Sequence, residues 1–342
     1  RQQLGPDRVA LVFLQTSRGM HAFQISEDQL FHWNVTNWSR RAREASGLLK
    51  SWGLVRDVGT FGEKVLANVE WKEHSADFLE GLIDRSQFGF WDRFQETVIV
   101  PDGILWYVPL EALQYRDRST NALVEVGSRT LVTYAPAAGL IVVPKAPRNA
   151  SRKTVVILGK MLPQDAVDVA RERVSELGQV TRNLVPIESR GELASGLARC
   201  LWDRLVVFDE IPEAREGPLN WAPARYDRGQ EQATLSRWLA LPFGSPHEIL
   251  LPGFRTEAET SGKGDLVGQD VFQTLMALMA SGSRTVLLAR WRTGGQSSYD
   301  LVREFMQESG NVRPGEAWRR STQILRADDL DPAWEPRVSV PA

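Results

Sequence analysis

The sequence has few of the residues from which disulfides and structural metal sites are built. It contains one cysteine and four histidines in 342 residues. A single thiol excludes an intramolecular disulfide and a multi-thiolate zinc site. The histidines, at positions 21, 32, 74 and 247, lack the close chain spacing of metal ligands. We therefore expect no metal, no cofactor and a reducing, cytoplasmic location.

Long apolar runs and an excess of one charge are also absent. The apolar runs at 140–143 and 154–158 are far shorter than the ~20 residues of a membrane-spanning helix. Lysine and arginine number 41 and aspartate and glutamate 43, so the net charge is −2. Polyanion binding needs clustered basic residues. We expect neither a membrane span nor a nucleic-acid partner.

The length and the 42% hydrophobic content allow one large domain or two of ordinary size. The chain opens on Arg1 with no methionine and no apolar leader. This start predicts a piece of a longer polypeptide, with an upstream domain or another protein as partner.

The first part of the chain alternates apolar runs with turn residues. Strands are predicted at 8–16, 20–25 and 30–33, forming a small antiparallel meander. Apolar residues at intervals of three and four predict an amphipathic helix over 38–52, and a second helix is expected over 75–85.

A stretch from 97 to 113 predicts a hairpin: two apolar strands around a Pro-Asp-Gly turn, followed by a helix that Pro109 starts. Another strand is expected over 130–136. Prolines and basic residues at 144–153 indicate a linker. We therefore expect a smaller N-terminal α+β part over 1–145 and a second domain over 151–342.

The second part alternates short apolar strands with helical stretches of about a dozen residues. The strands are predicted at 154–158, 180–185, 204–208, 248–251 and 285–291. This alternation predicts an α/β domain with a mostly parallel central sheet and helices on both faces. Sites in such sheets form at the carboxyl ends of strands, and Glu210 and Phe254 follow two of them.

Three segments carry a resemblance to a known family. They are the apolar strand, Pro-Asp-Gly turn and Pro-Leu-Glu-Ala-Leu of 98–113, the Thr-Tyr-Ala-Pro-Ala of 133–137, and the helix, Gly-Ser-Arg turn and strand of 268–291. In order and spacing they resemble the CHAT family of caspase-like cysteine peptidase domains, which are related in fold to caspases and separase. The resemblance implies a caspase-like fold over nearly the whole chain.

The resemblance also implies a catalytic dyad, and this chain lacks both members. In the family a histidine ends one strand and a cysteine ends the next, followed by an acidic residue and a threonine. Thr256 fits that threonine, so Phe254 falls on the cysteine and Arg255 on the acidic residue, while Glu210 falls on the histidine. A phenyl ring cannot attack or transfer a proton. We therefore expect a pseudoenzyme.

The site residues admit two interpretations each. Phe254 either fills the vacated nucleophile pocket or simply caps a strand. The acidic stretch with Asp209 and Glu210 is either a solvated loop or a functional rim. In the second case Glu210 pairs with Arg255, or the carboxylates receive a basic peptide.

Other candidates are weaker. Cys200 precedes the strand that leads to Glu210 and falls at the wrong end of the sheet, which predicts a buried structural cysteine. His247 falls at that same end and is expected to be an exposed loop residue. Residues 261–265 lack the residues of a phosphate loop. Twelve tryptophans favour a partner-binding surface if they are exposed.

The leading hypothesis is a catalytically inactive CHAT-like domain that binds a protein as a scaffold or regulatory module. The first alternative is an active cysteine peptidase or hydrolase in which Cys200, or a hydroxyl such as that of Thr256 or Ser261, is the nucleophile. The second is a sensor that holds a peptide or small ligand in the old cleft.

Overall fold

The computed structural model describes most of the chain, in twelve stretches: 3–52, 70–83, 90–142, 153–159, 167–181, 183–187, 203–209, 234–240, 246–254, 256, 267–290 and 296–328. Contacts divide the chain into two units. Unit 1 contains Arg1–Pro144, Ala258–Gly268 and residue 341. Unit 2 contains Lys145–Glu257, Gln269–Val340 and residue 342. The division into domains at 1–145 and 151–342 remains a prediction.

Unit 1 is built on a mixed sheet with the strand order β3-β2-β1-β4-β7, and β5 and β6 form a separate pair. Its strands are β1 (Arg8–Thr16), β2 (Gly19–Ile25), β3 (Leu30–Asn34), β4 (Glu96–Val100), β5 (Gln114–Arg116), β6 (Leu123–Glu125) and β7 (Leu131–Tyr134). The antiparallel meander of β1, β2 and β3 is confirmed. β4 runs parallel to both β1 and β7.

The helices of unit 1 follow the apolar pattern of the sequence. They are α1 (Trp38–Ser51), α2 (Glu70–Leu82), α3 (Phe90–Arg93) and α4 (Val126–Arg129). The helix predicted over 38–52 is confirmed, and it buries Ala45, Leu48 and Leu49 on one face. The helix predicted over 75–85 begins five residues earlier, because Glu70 and Glu73 form a first turn that suits the positive end of the helix dipole.

The hairpin predicted over 97–107 is wrong. β4 ends at Val100, and Gly103–Trp106 forms a 3₁₀ turn instead of a second strand. β1 and β7 occupy both edges of β4, so no edge remains for a hairpin partner. The Asp102 side chain accepts a hydrogen bond from Gly103 N at 2.8 Å and starts this turn. The helix expected after Pro109 is also a short 3₁₀ turn, Leu110–Ala112.

Unit 2 contains a five-stranded sheet in which every pair of neighbours is parallel. The strands are β8 (Thr154–Leu158), β9 (Leu184–Ile187), β10 (Arg204–Phe208), β11 (Glu248–Leu251) and β12 (Thr285–Leu288), in the order β12-β11-β10-β8-β9. The α/β class with a largely parallel sheet is confirmed. Two strand bounds differ from prediction: 180–185 becomes 184–187, since the preceding helix reaches Val180, and 285–291 ends at Leu288.

The helices of unit 2 are α5 (Val167–Val180), α6 (Leu235–Leu239), α7 (Gln269–Ala280), α8 (Gln296–Glu308) and α9 (Pro314–Asp328). From β8 the chain moves to one side to reach β9, and it later moves to the other side through β10, β11 and β12. Because crossovers between parallel strands are right-handed, this reversal puts α5 and α7 on opposite faces of the sheet.

The core of unit 2 joins the sheet to helices α5, α8 and α9. Its members include Val156, Val206, Phe208, Leu250, Leu177, Val302, Phe305, Met306 and Ala317. The alternate strand residues, such as Val155, Val207 and Ile249, are fully buried too. Both faces of the sheet are therefore covered, which explains why its strands are continuous apolar runs.

A polar contact ties α8 to α5 within this unit. The Tyr299 hydroxyl donates to Glu176 Oε2 at 2.9 Å and lies 2.8 Å from the Arg173 carbonyl oxygen. The Arg173 guanidinium lies 4.8 Å from the centre of the Tyr299 ring. Burial, with the hydrogen bond to Glu176, raises the pKa of Tyr299 above its ordinary value. The phenol therefore stays neutral and keeps its donor.

Candidate functional site

The candidate site is the carboxyl edge of the parallel sheet in unit 2. β10 and β11 are neighbours there, with Arg204 opposite Glu248 and Val206 opposite Leu250. The strands that precede Glu210 and Phe254 therefore lie side by side, as predicted. This is the edge at which open α/β sheets place their ligands.

Phe254 is held by a tight turn at the end of β11. Pro252 and Gly253 form the turn, and Phe254 N donates to the Leu251 carbonyl oxygen at 3.1 Å. The Phe254 side chain is 3% exposed. An aromatic ring occupies this position and is shielded from water.

Thr256 is fully buried two residues further on. Its hydroxyl donates to the Arg290 carbonyl oxygen at 2.5 Å, and Ala289 N donates to the Leu251 carbonyl oxygen at 3.2 Å. These bonds join the ends of β11 and β12. The hydroxyl is therefore used to hold two strand ends together, and a buried hydroxyl needs an adjacent base before it can attack a carbonyl.

Gly159 and Asp209 mark the point where the strand order reverses. Leu158 of β8 pairs with Phe208 of β10, so Gly159 and Asp209 come next on adjacent strands. A Cβ atom on Gly159 would lie 2.2 Å from Asp209 Cβ. No side chain fits at this position. Ligand crevices in such sheets open where the order reverses, so Asp209 stands at the favoured place for recognition.

Gly159 was missed by sequence reasoning. The available signal was a glycine directly after an apolar strand, which indicates close approach of another backbone. The approaching residue comes from a strand 50 positions away, so its identity depended on the strand order.

The histidines do not follow the parallel strands in the chain. His21, His32 and His74 belong to unit 1, on β2, β3 and α2. His247 is exposed, as predicted, and precedes β11 at the opposite edge. None of the four histidines follows a strand of the parallel sheet. Nucleophilic catalysis of the peptidase type requires such a base.

Four predicted residues lie outside the described part of the chain: Cys200, Glu210, Arg255 and Ser261. The Glu210–Arg255 ion pair and the assignment of Glu210 and Phe254 to a degenerate dyad stay predictions. So does the position of Cys200.

The tryptophans that the structure describes do not form an exposed surface. They are Trp33, Trp38, Trp52, Trp71, Trp91, Trp106, Trp238 and Trp318, and none of them is exposed. Trp52, Trp91, Trp106 and Trp238 are buried, and the other four are partly buried. The described tryptophans therefore do not supply the exposed surface that the sequence analysis required.

Two of the segments that carry the family resemblance contact each other inside unit 1. The Tyr134 hydroxyl donates to Glu111 Oε2, and the same hydroxyl accepts a hydrogen bond from Leu110 N at 2.9 Å. β4 precedes Leu110 and Glu111, Tyr134 is the last residue of β7, and these two strands are paired in parallel. The Pro-Leu-Glu-Ala-Leu and Thr-Tyr-Ala-Pro motifs therefore have a shared structural role.

The third segment joins the first through Gly268, which is also in unit 1. Gly268 N donates to the Tyr107 hydroxyl at 2.9 Å. Gly268 has a φ of 82°, and a Cβ atom there would lie 2.2 Å from the Gly103 carbonyl oxygen. Only glycine fits both requirements. The third segment thus contributes its first residue to unit 1, while its remainder from Gln269 belongs to unit 2.

Within the described ranges, no three or more histidine, cysteine, aspartate or glutamate side chains are grouped so that they could hold a metal ion. No helix in the described part of the chain has the length and apolar character to cross a membrane. The sequence matches no protein-family model and has no significant match among curated proteins.

Proposed function

We propose that this chain is a catalytically inactive CHAT-like module, caspase-like in fold, that works by binding a protein. The burial of Phe254 carries the proposal. Phe254 follows β11, which lies beside β10, so it occupies the strand end where the resemblance places the cysteine nucleophile. A buried phenyl ring has no acid-base or nucleophilic chemistry.

The surroundings of Phe254 support inactivity. The Thr256 hydroxyl, the nearest alternative nucleophile in the chain, is buried and hydrogen-bonded to a backbone carbonyl. None of the four histidines directly follows a strand of the parallel sheet in the chain. Loss of nucleophile and base together removes nearly all catalysis by a unit of this kind.

Beside the buried Phe254, this edge also carries a carboxylate. Asp209 follows β10 at the reversal of strand order, and Glu210 is the next residue. Carboxylates at the mouth of a crevice attract basic side chains, and arginine pairs with them through two parallel hydrogen bonds. The proposed ligand is therefore a basic, extended peptide segment of a partner protein. The cytoplasmic location of the chain remains a prediction.

Catalytic inactivity is tested with the whole chain, a peptide library read by mass spectrometry and a thiol-directed peptidase probe. We expect no turnover and no adduct, while an active cysteine peptidase in the same assay is labelled. Reproducible cleavage that disappears in Cys200→Ala overturns the proposal in favour of an active cysteine hydrolase.

Binding is tested by fluorescence anisotropy with a peptide rich in lysine and arginine and the same peptide with glutamate at those positions. We expect only the basic peptide to bind, and Asp209→Asn with Glu210→Gln to weaken it about tenfold, as loss of charge-assisted bonds does. Asp28→Asn, the same charge change on an exposed residue of unit 1, is the matched control. Equal binding by all three proteins contradicts a role for this edge.

A further inference from the structure

Two histidines that are distant in the chain meet on the sheet of unit 1. β2 and β3 are antiparallel, with His21 opposite Asn34 and Phe23 opposite His32. His21 and His32 are therefore diagonal neighbours on the same face of the sheet. His21 Nδ1 lies 3.1 Å from His32 Nε2. Residues 21 and 32 are 11 positions apart in the chain, and strand pairing brings their side chains together.

The geometry of the pair is fixed by stacking. The two imidazole rings are 5.4 Å apart between centroids and 16° from parallel. The Phe23 ring stacks on the His32 ring at 4.7 Å. A ring held by a neighbouring aromatic loses less rotational freedom when it binds a ligand. The pair also lies toward solvent, since the contact is exposed while Ala22 and Gln24 of the same strand are buried.

The separation of the ring nitrogens suits two ligands of one metal ion. Imidazole nitrogens bind zinc at ~2.0–2.1 Å, so adjacent ligands lie ~2.8–3.0 Å apart in octahedral and ~3.3–3.4 Å apart in tetrahedral geometry. The 3.1 Å separation lies between these two ranges, and a shift of a few tenths of an ångström reaches either one. Neutral imidazole is a preferred ligand of Zn²⁺, Cu²⁺ and Ni²⁺.

We propose that His21 Nδ1 and His32 Nε2 form a two-imidazole binding site for one divalent transition-metal ion of this class. In the metal-free pair one ring nitrogen donates its hydrogen to the other. When the ion binds, the donating ring moves that proton to its far nitrogen, so both facing nitrogens present lone pairs. Water completes the coordination shell. The ion then links β3, the edge strand of the sheet, to β2.

Titration calorimetry of the whole chain with Zn²⁺ tests the site. We expect one ion per chain, and His21→Ala and His32→Ala each to lose at least tenfold in affinity, because one remaining imidazole is a much weaker ligand than two. His74→Ala and His247→Ala are matched controls, since both remove an exposed histidine from another element. Their affinity is expected to stay within twofold of the unchanged protein.

A spectroscopic measurement identifies the ligands. Cu²⁺ bound to the whole chain should show hyperfine splitting from two nitrogens, reduced to one nitrogen in His32→Gln, which keeps a polar side chain on β3. Zn²⁺ should raise the melting temperature of the unchanged protein and not that of the two alanine variants. Unchanged Zn²⁺ affinity in the His21→Ala, His32→Ala double variant overturns the proposal. A ratio of one ion to two chains contradicts a site within one chain.

Discussion

Different kinds of side chain are buried at the two edges of the parallel sheet. At the amino edge, Arg204 and Glu248 lie opposite each other on β10 and β11, and both are almost completely buried. Arg204 Nε and Nη2 lie 2.7 and 2.6 Å from Glu248 Oε2. Arg204 Nη2 also donates to Ser309 Oγ at 2.6 Å. Charge is kept inside the protein there because each group has a close partner.

At the carboxyl edge the same two strands end in tight packing. Phe254 is buried after β11, and Gly159 leaves no room for a side chain beside Asp209. The two edges therefore differ in which kind of side chain is buried there. The buried ion pair stands at the edge where α/β sheets seldom place ligands, and an apolar ring stands at the edge where they usually do.

The amino edge is expected to give the largest effect on stability. Arg204→Met removes the cation and leaves Glu248 buried without it, which should lower the free energy of unfolding by about 3–5 kcal/mol. Urea unfolding followed by circular dichroism measures the change. The double variant Arg204→Met, Glu248→Leu should recover most of the loss, because two packed apolar side chains leave no buried charge. A loss below about 1 kcal/mol in the single variant would show that the pair is open to water.

The second largest effect on stability is expected at the carboxyl edge. Phe254→Ala leaves a cavity at the end of β11 and is expected to lower the free energy of unfolding by about 3 kcal/mol. Phe254→Leu, which retains much of the volume, should cost about half as much, and Leu239→Ala, an exposed apolar residue, should have little effect. Thermal and urea unfolding measure the three variants. If Phe254→Ala leaves the free energy of unfolding unchanged, the position is an open groove and the carboxyl edge is not tightly packed.

A smaller effect is expected at the reversal of strand order. Gly159→Ala places a Cβ atom against Asp209 Cβ, and the strand ends must shift, at a cost of about 2 kcal/mol. Combining it with Asp209→Gly should recover part of that loss, because the clash involves the first side-chain atom. If the urea midpoint of the double variant shows no recovery, the cost does not come from contact with the Asp209 side chain.

Sequence patterns were sufficient for three strands of the parallel sheet. The strands at 154–158, 204–208 and 248–251 were predicted with their correct bounds, because short apolar runs flanked by polar residues suit buried parallel strands. The apolar run Ile104 to Trp106 has the same composition and was assigned wrongly. Its conformation depends on the neighbours of β4, which occupy both edges of that strand.

Pairs between distant residues were beyond sequence reasoning. Arg204 and Glu248 each open a predicted strand, but nothing in either segment identifies the other as its partner. His21 and His32 meet only through the register of β2 and β3. At the candidate site, Phe254 could be placed at a strand end by sequence, while the close approach of Gly159 to Asp209 required the strand order.

The hydrogen bond between Gly268 and Tyr107 has a consequence for the order of folding during synthesis. The two residues are 161 positions apart in the chain, and both belong to unit 1. At ribosomal rates of ~5–20 residues per second, Gly268 is added about 8–30 s after Tyr107. Strands β8 to β11 are synthesised in that interval. Most of unit 1 is therefore synthesised first, yet the Gly268 N–H that bonds to Tyr107 is added only after most strands of the other sheet have been made.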